Sequence, residues 1–378
     1  MQGTWSAGGS VVLVSSDALR TLRQGFPVLE RSAYLNAGTC GPLAWATADA
    51  LGDAMARATV VGRAAAYYQT LQATHARLRA AYAGALGARP DDVALTTSTS
   101  DGLARILAAL PLGPGDEVVT STDEHPGLDG VLLALRAARG ISIRAVPLAD
   151  VADAVGPATR AVTCSHVSWI TGERAPEDAL RTVGRDVPVI YDGAQGAGAV
   201  AVAPEALGCA AYAGAGQKWM CGPVGLGMLW VNPAWRDALT PLAFAYGNLA
   251  DPAAGLAAEP WPDARAFDTP ALSAETAVAG ATAAEHLAEV GWEQVFARGA
   301  GLADLLEAAL RERGFDVAPR EQTTLLSVVV DDPPATRDAL AAAGIVVRDL
   351  PGRPYVRVST GAWNDERDLE RLLEVLTA

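Results

Sequence analysis

Between Val93 and Val231 the chain alternates short apolar runs with amphipathic stretches, and this rhythm narrows the possible folds more than anything else in it. Residues 93–97, 117–121, 142–147, 161–165 and 188–191 have the length and apolar content of strands. Residues 102–110 place Leu103, Ile106, Leu107 and Leu110 on one face of a helix, and 127–139 read as a second helix. Strands that alternate with helices predict an α/β fold whose mainly parallel sheet is covered on both faces. Residues 210–215 and 227–231 predict two more strands, one on each side of a loop holding Lys218.

The flanks differ. Residues 17–30 predict an amphipathic helix, 34–36 an extended segment and 37–42 a turn. Helical patterning runs from 44 to about 86 with a break near Gly62. After an irregular Pro/Ala/Gly-rich stretch at 251–270 come helices at 273–290 and 292–313, a strand at 323–330 and a helix at 334–343. Strands at 345–347 and 355–359 and a helix at 365–376 close what reads as a smaller α+β unit. A chain of 378 residues, half of them apolar, suits roughly two domains.

The net charge of −14 and the absence of a basic patch argue against nucleic acid or an anionic membrane as partner. No apolar stretch is long enough to span a bilayer. Residues 1–10 lack the basic and apolar regions of a signal peptide, so a cytoplasmic enzyme is expected. The four cysteines form no CxxC pair and the four histidines are scattered, so no metal site is expected.

Lys and Arg together number 29, yet Lys218 is the single lysine. An arginine stays protonated and cannot form an imine, whereas a lysine amine can lose its proton and attack a carbonyl. Asp192 follows the apolar run 187–191, at a strand end where an open α/β sheet binds ligands. An acid and an amine so placed could hold a cofactor ring between them, as pyridoxal phosphate (PLP) chemistry requires. Alone, Asp192 would read as a turn or cap residue. The Thr/Ser-rich junction 95–102 leads into a helix, whose free N–H groups and dipole favour a phosphate, although Ser100 or Asp101 would also serve as an ordinary cap. The glycines at 222, 225 and 227 lack GxGxxG spacing and precede no helix, which excludes a dinucleotide loop. His125 follows a strand and can offer a flat ring to a cofactor. His166 is read as a core histidine.

Asp192-Gly-Ala-Gln195, Gln217-Lys218-Trp219 and Gly222-Pro223-x-Gly225-x-Gly227 together resemble the class V aminotransferase family of fold-type I PLP enzymes. That family includes cysteine desulfurases, cystine C–S lyases and isopenicillin N epimerase-like proteins. The resemblance runs from about Tyr34 to the C-terminus. It implies Lys218 as the Schiff-base lysine and proton shuttle, Asp192 as partner of the pyridine nitrogen, and Gln195 beside the phenolic oxygen. His125 would stack on the ring, with Thr99, Ser100 and Gln217 on the phosphate. Thr269, in Phe267-Asp268-Thr269-Pro270, would reach the phosphate of a neighbouring subunit, implying a homodimer. Arg357 would bind the carboxylate of an amino-acid substrate, a fit for a bidentate guanidinium, and Asn36 would adjoin it. The implied division is a tail at 1–15, a segment at 16–40 packing with the small domain, a large PLP-binding domain at 41–250 and a small C-terminal domain at 251–378.

Three departures shape the functional expectation. Ala215 replaces a phosphate-binding Ser or Thr. Trp169 stands where desulfurases carry Asn, and Thr171 is expected to take over part of that contact with the cofactor. The stretch 348–355, before Arg357, lacks the nucleophilic Cys that accepts sulfur in a desulfurase. The expectation is therefore a C–S lyase that eliminates the β-sulfur of cystine or an S-substituted cysteine, giving pyruvate and ammonia. An aminotransferase or an epimerase with the same apparatus is the alternative.

Overall fold

The computed structural model describes residues 16–242 and 245–377. The tail expected over 1–15 lies outside them. In chain order the described strands are β1 (Ala33–Tyr34), β2 (Val93–Thr96), β3 (Glu117–Ser121), β4 (Ser142–Val146), β5 (Thr159–Ser165) and β6 (Val189–Asp192). They continue with β7 (Ala211–Ala215), β8 (Gly227–Val231), β9 (Leu325–Val329), β10 (Ile345–Val346), β11 (Arg348–Asp349) and β12 (Tyr355–Ser359).

Seven of these form one sheet in the order β2-β8-β7-β6-β5-β3-β4. Only β8 runs against its neighbours; the rest are mutually parallel. Strand ends at Thr96, Ser121, Ser165, Asp192 and Ala215 therefore share one edge of the sheet. Alternation along each strand separates the two faces. Val119, Tyr191, Tyr212, Met228 and Trp230 pack into one core. Val118, Ile190, Ala211, Ala213, Leu229 and Val231 pack into the other. The edge strand β4, with Ser142 and Arg144, is more exposed, as an edge should be.

Two helices, Trp45–Val61 and Ala65–Leu86, are separated at Gly62, whose φ of 82° suits glycine. The helix expected over 17–30 is shorter: Ser16–Gln24, then a 3-10 turn Pro27–Glu30, because Pro27 lacks the N–H that would continue it. A helix at Glu177–Val183 was not anticipated.

A second sheet, β11-β12-β9, is antiparallel. Its core includes Ala33 and Leu35 from the start of the chain. β1 pairs in parallel with β10, and Arg23 is bonded to Asp368 at 2.7 Å. The first described residues are thus fastened to the last. Among the described residues no helix is long and apolar enough to cross a membrane.

Candidate active site

At the shared strand edge lies a cavity of about 210 Å³, lined by residues that include Thr99, Ser100, His125, Asp192, Gln195, Gln217, Lys218 and Arg357. Those eight come from five separate stretches of chain, and the fold brings them together.

Lys218 follows β7 in a tight loop. Gly222 N donates to Gly216 O at 2.9 Å, and Cys221 takes a φ of 53°, rare outside glycine. The turn at Gly41 lies against this loop: its N–H donates to Gln217 O at 2.8 Å, and a Cβ there would overlap the Lys218 carbonyl. Burial lowers the Lys218 amine from 10.5 to about 8, although Asp192 pulls it upward. Asp192 ends β6, and its Oδ1 accepts from Ala194 N at 2.9 Å. Burial holds its carboxyl above the usual range, opposed by Lys218.

Thr99 and Ser100 begin the helix Thr99–Ala109, capped by Ser98, whose hydroxyl accepts from Asp101 N at 3.1 Å. Thr99 Oγ1 is buried without a partner, as is Gln217 Oε1. The Thr99 hydroxyl, an unpaired donor at a helix N-terminus, suits an anion. His125 Nδ1 accepts from Gly127 N at 3.0 Å, so the ring proton resides on Nε2. Burial, with Lys218, Arg348 and Arg357 nearby, drives the imidazole down to about 4 and keeps it neutral at pH 7. The ring meets Trp169 edge-on, with centroids 5.1 Å apart. Gln195 is pinned at both ends: Nε2 donates to Gly38 O at 2.8 Å and Oε1 accepts from Trp219 at 3.0 Å.

Arg357 is 1% exposed. It donates to Trp169 O at 2.8 Å and to Thr39 Oγ1 at 3.1 Å, and its Nε has no partner. Arg348 also lines the cavity and donates to the same Thr39 Oγ1 at 3.3 Å. Among the described residues neither guanidinium forms an ion pair with a carboxylate. Burial and Arg348 lower Arg357 to about 9, which still leaves it charged at neutral pH.

Three expected site residues do not line the cavity. Thr171 is taken up by its own turn, donating to Glu173 Oε2 at 2.9 Å; Trp169 lines the cavity instead. Asn36 shapes the turn behind Thr39, accepting from its hydroxyl at 2.8 Å, so Thr39 rather than Asn36 reaches the cavity. Thr269 is tied to β2 through Leu95 O at 2.7 Å and does not line the cavity of its own chain. Thr39 and Arg348 were not singled out from the sequence. His166 is fully buried and bonded to Tyr212 and Glu177, as a core histidine should be.

The family model for class V aminotransferases matches residues 50–372. This chain belongs to that family. Class V relatives include isopenicillin N epimerase of Amycolatopsis lactamdurans, 28% identical over 90% of this chain and 94% of its own length. A probable cysteine desulfurase of Methanothermobacter thermautotrophicus is 28% identical over 61% of this chain, and the match spans 60% of that relative. Among solved structures, a lysine-to-alanine mutant of C-DES with glycine covalently linked to its PLP cofactor superimposes with a TM-score of 0.87. It is 27% identical, over 94% of this chain and 98% of that one. Class V enzymes use pyridoxal phosphate, and the cavity fits it. It offers an unpaired hydroxyl donor, Thr99 Oγ1, at a helix N-terminus for a phosphate, an amine for an aldehyde and a buried carboxylate for a ring nitrogen. Among the described residues no cluster of His, Cys, Asp or Glu is placed to hold a metal ion.

Proposed function

We propose that this enzyme cleaves the C–S bond of cystine or an S-substituted cysteine by β-elimination, releasing pyruvate and ammonia. The carrying observation is that the stretch 348–355, which lacks the Cys expected of a desulfurase, brings the guanidinium of Arg348 to the cavity. Arg357 binds the α-carboxylate, and Arg348 faces a second anionic group on the sulfur side. Two guanidiniums without carboxylate partners, joined through Thr39, favour a substrate with two such groups. Cystine carries two carboxylates. C-DES, in complex with cysteine persulfide, is described as a cystine C–S lyase and resembles this chain at 26% identity with a TM-score of 0.85.

When bound, pyridoxal phosphate supplies an electron sink for the charge left at Cα. Lys218 takes the Cα proton; an amine lowered to about 8 is neutral in a useful fraction near physiological pH. Asp192 would keep the ring nitrogen protonated, and the neutral imidazole of His125 would pack against the ring. Thr99, Ser100 and Gln217 would hold the phosphate, and Gln195, fixed by Gly38 and Trp219, would face the phenolic oxygen. The β-sulfur departs with the bonding pair, and water completes the balance to pyruvate and ammonia.

The active unit is a homodimer in which Thr269 serves the partner's cavity. In support, the helix Trp45–Val61 leaves Trp45, Met55, Val60 and Val61 exposed.

The test is a product assay on PLP-loaded protein offered cystine, S-alkylcysteines and cysteine sulfoxides, with alanine plus keto acids in parallel. Pyruvate and ammonia from a sulfur substrate without an acceptor is the expected result, with Arg348→Ala raising KM for cystine about tenfold. Turnover that requires a keto acid would make the enzyme an aminotransferase. Exchange of the α-proton without ammonia would make it an epimerase, the activity named for the Amycolatopsis relative.

A further inference from the structure

We propose that Glu124 is a positioning residue for the cofactor ring: one buried carboxylate locks the loop that carries His125 to the strand end that pairs with Asp192. The proposal rests on the reading of His125 and Asp192 as the ring's partners, and is independent of which bond the enzyme breaks.

Glu124 follows β3 and is 5% exposed. Both its oxygens are engaged. Oε1 accepts from Ser121 Oγ at 2.6 Å and from Ser165 N at 2.9 Å, while Oε2 accepts from Ser165 Oγ at 2.6 Å. Ser165 is the last residue of β5 and sits in register with Asp192 on β6. The next residue, His166, donates its N–H to Asp192 O at 2.9 Å. A single side chain therefore connects the end of β3, the end of β5 and, through the ladder, the end of β6.

The other side of Glu124 is His125, which caps the helix Pro126–Arg139 through its Nδ1. The imidazole is oriented by that cap, and the cap is located by the residue before it. The order of dependence is Ser165 beside Asp192, then Glu124, then His125. Three donors converge on two oxygens with no cation paired to the carboxylate among the described residues. Burying a carboxylate in this way is costly and gains nothing over an apolar side chain as packing alone. What it gains is direction, because three hydrogen bonds fix the carboxylate plane against two strands.

The experiment compares Glu124→Gln, Ser165→Ala and Ser121→Ala with His125→Ala and Asp192→Asn as references. Each variant is made as the full-length PLP-loaded enzyme. Cofactor dissociation constants and the visible circular dichroism of the bound cofactor are the readouts, with kcat and KM measured beside them. Glu124→Gln retains the shape but removes the charge and sets an amide donor against the Ser165 hydroxyl, which must then accept instead of donate. It is expected to weaken cofactor binding on the order of 10- to 100-fold, as loss of a buried support for a binding group typically does. It should also reduce the visible dichroism and lower kcat, with KM within about twofold because Arg357 and Arg348 are untouched. The serine variants each remove one hydroxyl donor and are expected to move the same readouts less. They decide the matter if Glu124→Gln does not fold. If the reference variants alter the dichroism while Glu124→Gln and both serine variants match the parent, the proposal is overturned. If His125→Ala and Asp192→Asn leave the cofactor signal unchanged, the reading of those two residues fails and the role of Glu124 falls with it.

Discussion

The two walls of the cavity are built by different means. The wall from the seven-stranded sheet holds Lys218, Asp192, His125 and Thr99, each at or shortly after a strand end on one shared edge. The opposite wall holds Thr39, Arg348 and Arg357, brought from the first and last parts of the chain by β12 and the turn after β1. On the first wall, parallel strands and helix ends fix the groups whatever the substrate is. On the second, two arginines meet on one threonine hydroxyl, and nearby an exposed ion pair joins Arg353 to Asp123. Under the proposed function the contrast separates chemistry from choice: the sheet would supply the cofactor's apparatus, and the smaller wall would select what is presented to it.

This contrast can be broken at its strongest point first. Lys218→Ala is expected to lower turnover about 100- to 10,000-fold, the range for losing a positioned base. Borohydride reduction of the loaded parent should add the cofactor's mass to one peptide and in the variant to none, since the chain has a single lysine. Retained turnover would show that the sheet wall does not carry the chemistry.

The electrostatics of the same wall give the next test. In cofactor-free protein, labelling of Lys218 by an amine reagent should rise with pH through a midpoint near 8, because the reactive form is neutral and burial disfavours the charged one. A midpoint at the ordinary 10.5 would mean that the amine is not desolvated.

On the opposite wall Arg357→Gln should raise KM about 30-fold or more, the loss of a buried charge-assisted contact. It should leave the visible spectrum of the bound cofactor unchanged. A spectral change would blur the division between the walls. The smallest effect is expected at the exposed pair: Arg353→Ala should alter KM less than about threefold, and less still at high salt.

The alternating pattern between Val93 and Val231 was enough to place the strands, because a sheet covered on both faces imposes apolar runs of strand length on its own sequence. The bounds of β3, β8 and β12 agree with the residues expected from that pattern. The direction of β8 and the order of the strands were hidden, since pairing is not written in a strand's composition. Lys218 and Asp192 were legible for a related reason: each follows a recognisable apolar run and sits in a short motif. Thr171 was misread because its segment is a closed turn, in which Glu173 bonds the hydroxyl and Trp169 takes the place on the cavity wall. Glu124 was visible only as a charged neighbour of His125. Nothing local marks a carboxylate as bonded to a serine more than forty residues away.

The sequence by itself determined the sheet, the one amine able to hold the cofactor, and the absence of a thiol before Arg357. Those follow from local pattern, and from a lysine that no arginine can replace. The tertiary structure alone decided that Thr39 and Arg348 share a cavity with Lys218, and that Glu124 is bonded to Ser165 at the end of β5. Contacts between residues some three hundred positions apart arise from how the ends of the chain pair, β1 with β10 and Arg23 with Asp368. Local propensity holds no record of such pairing, because its free energy is gained only once both partners have been brought together.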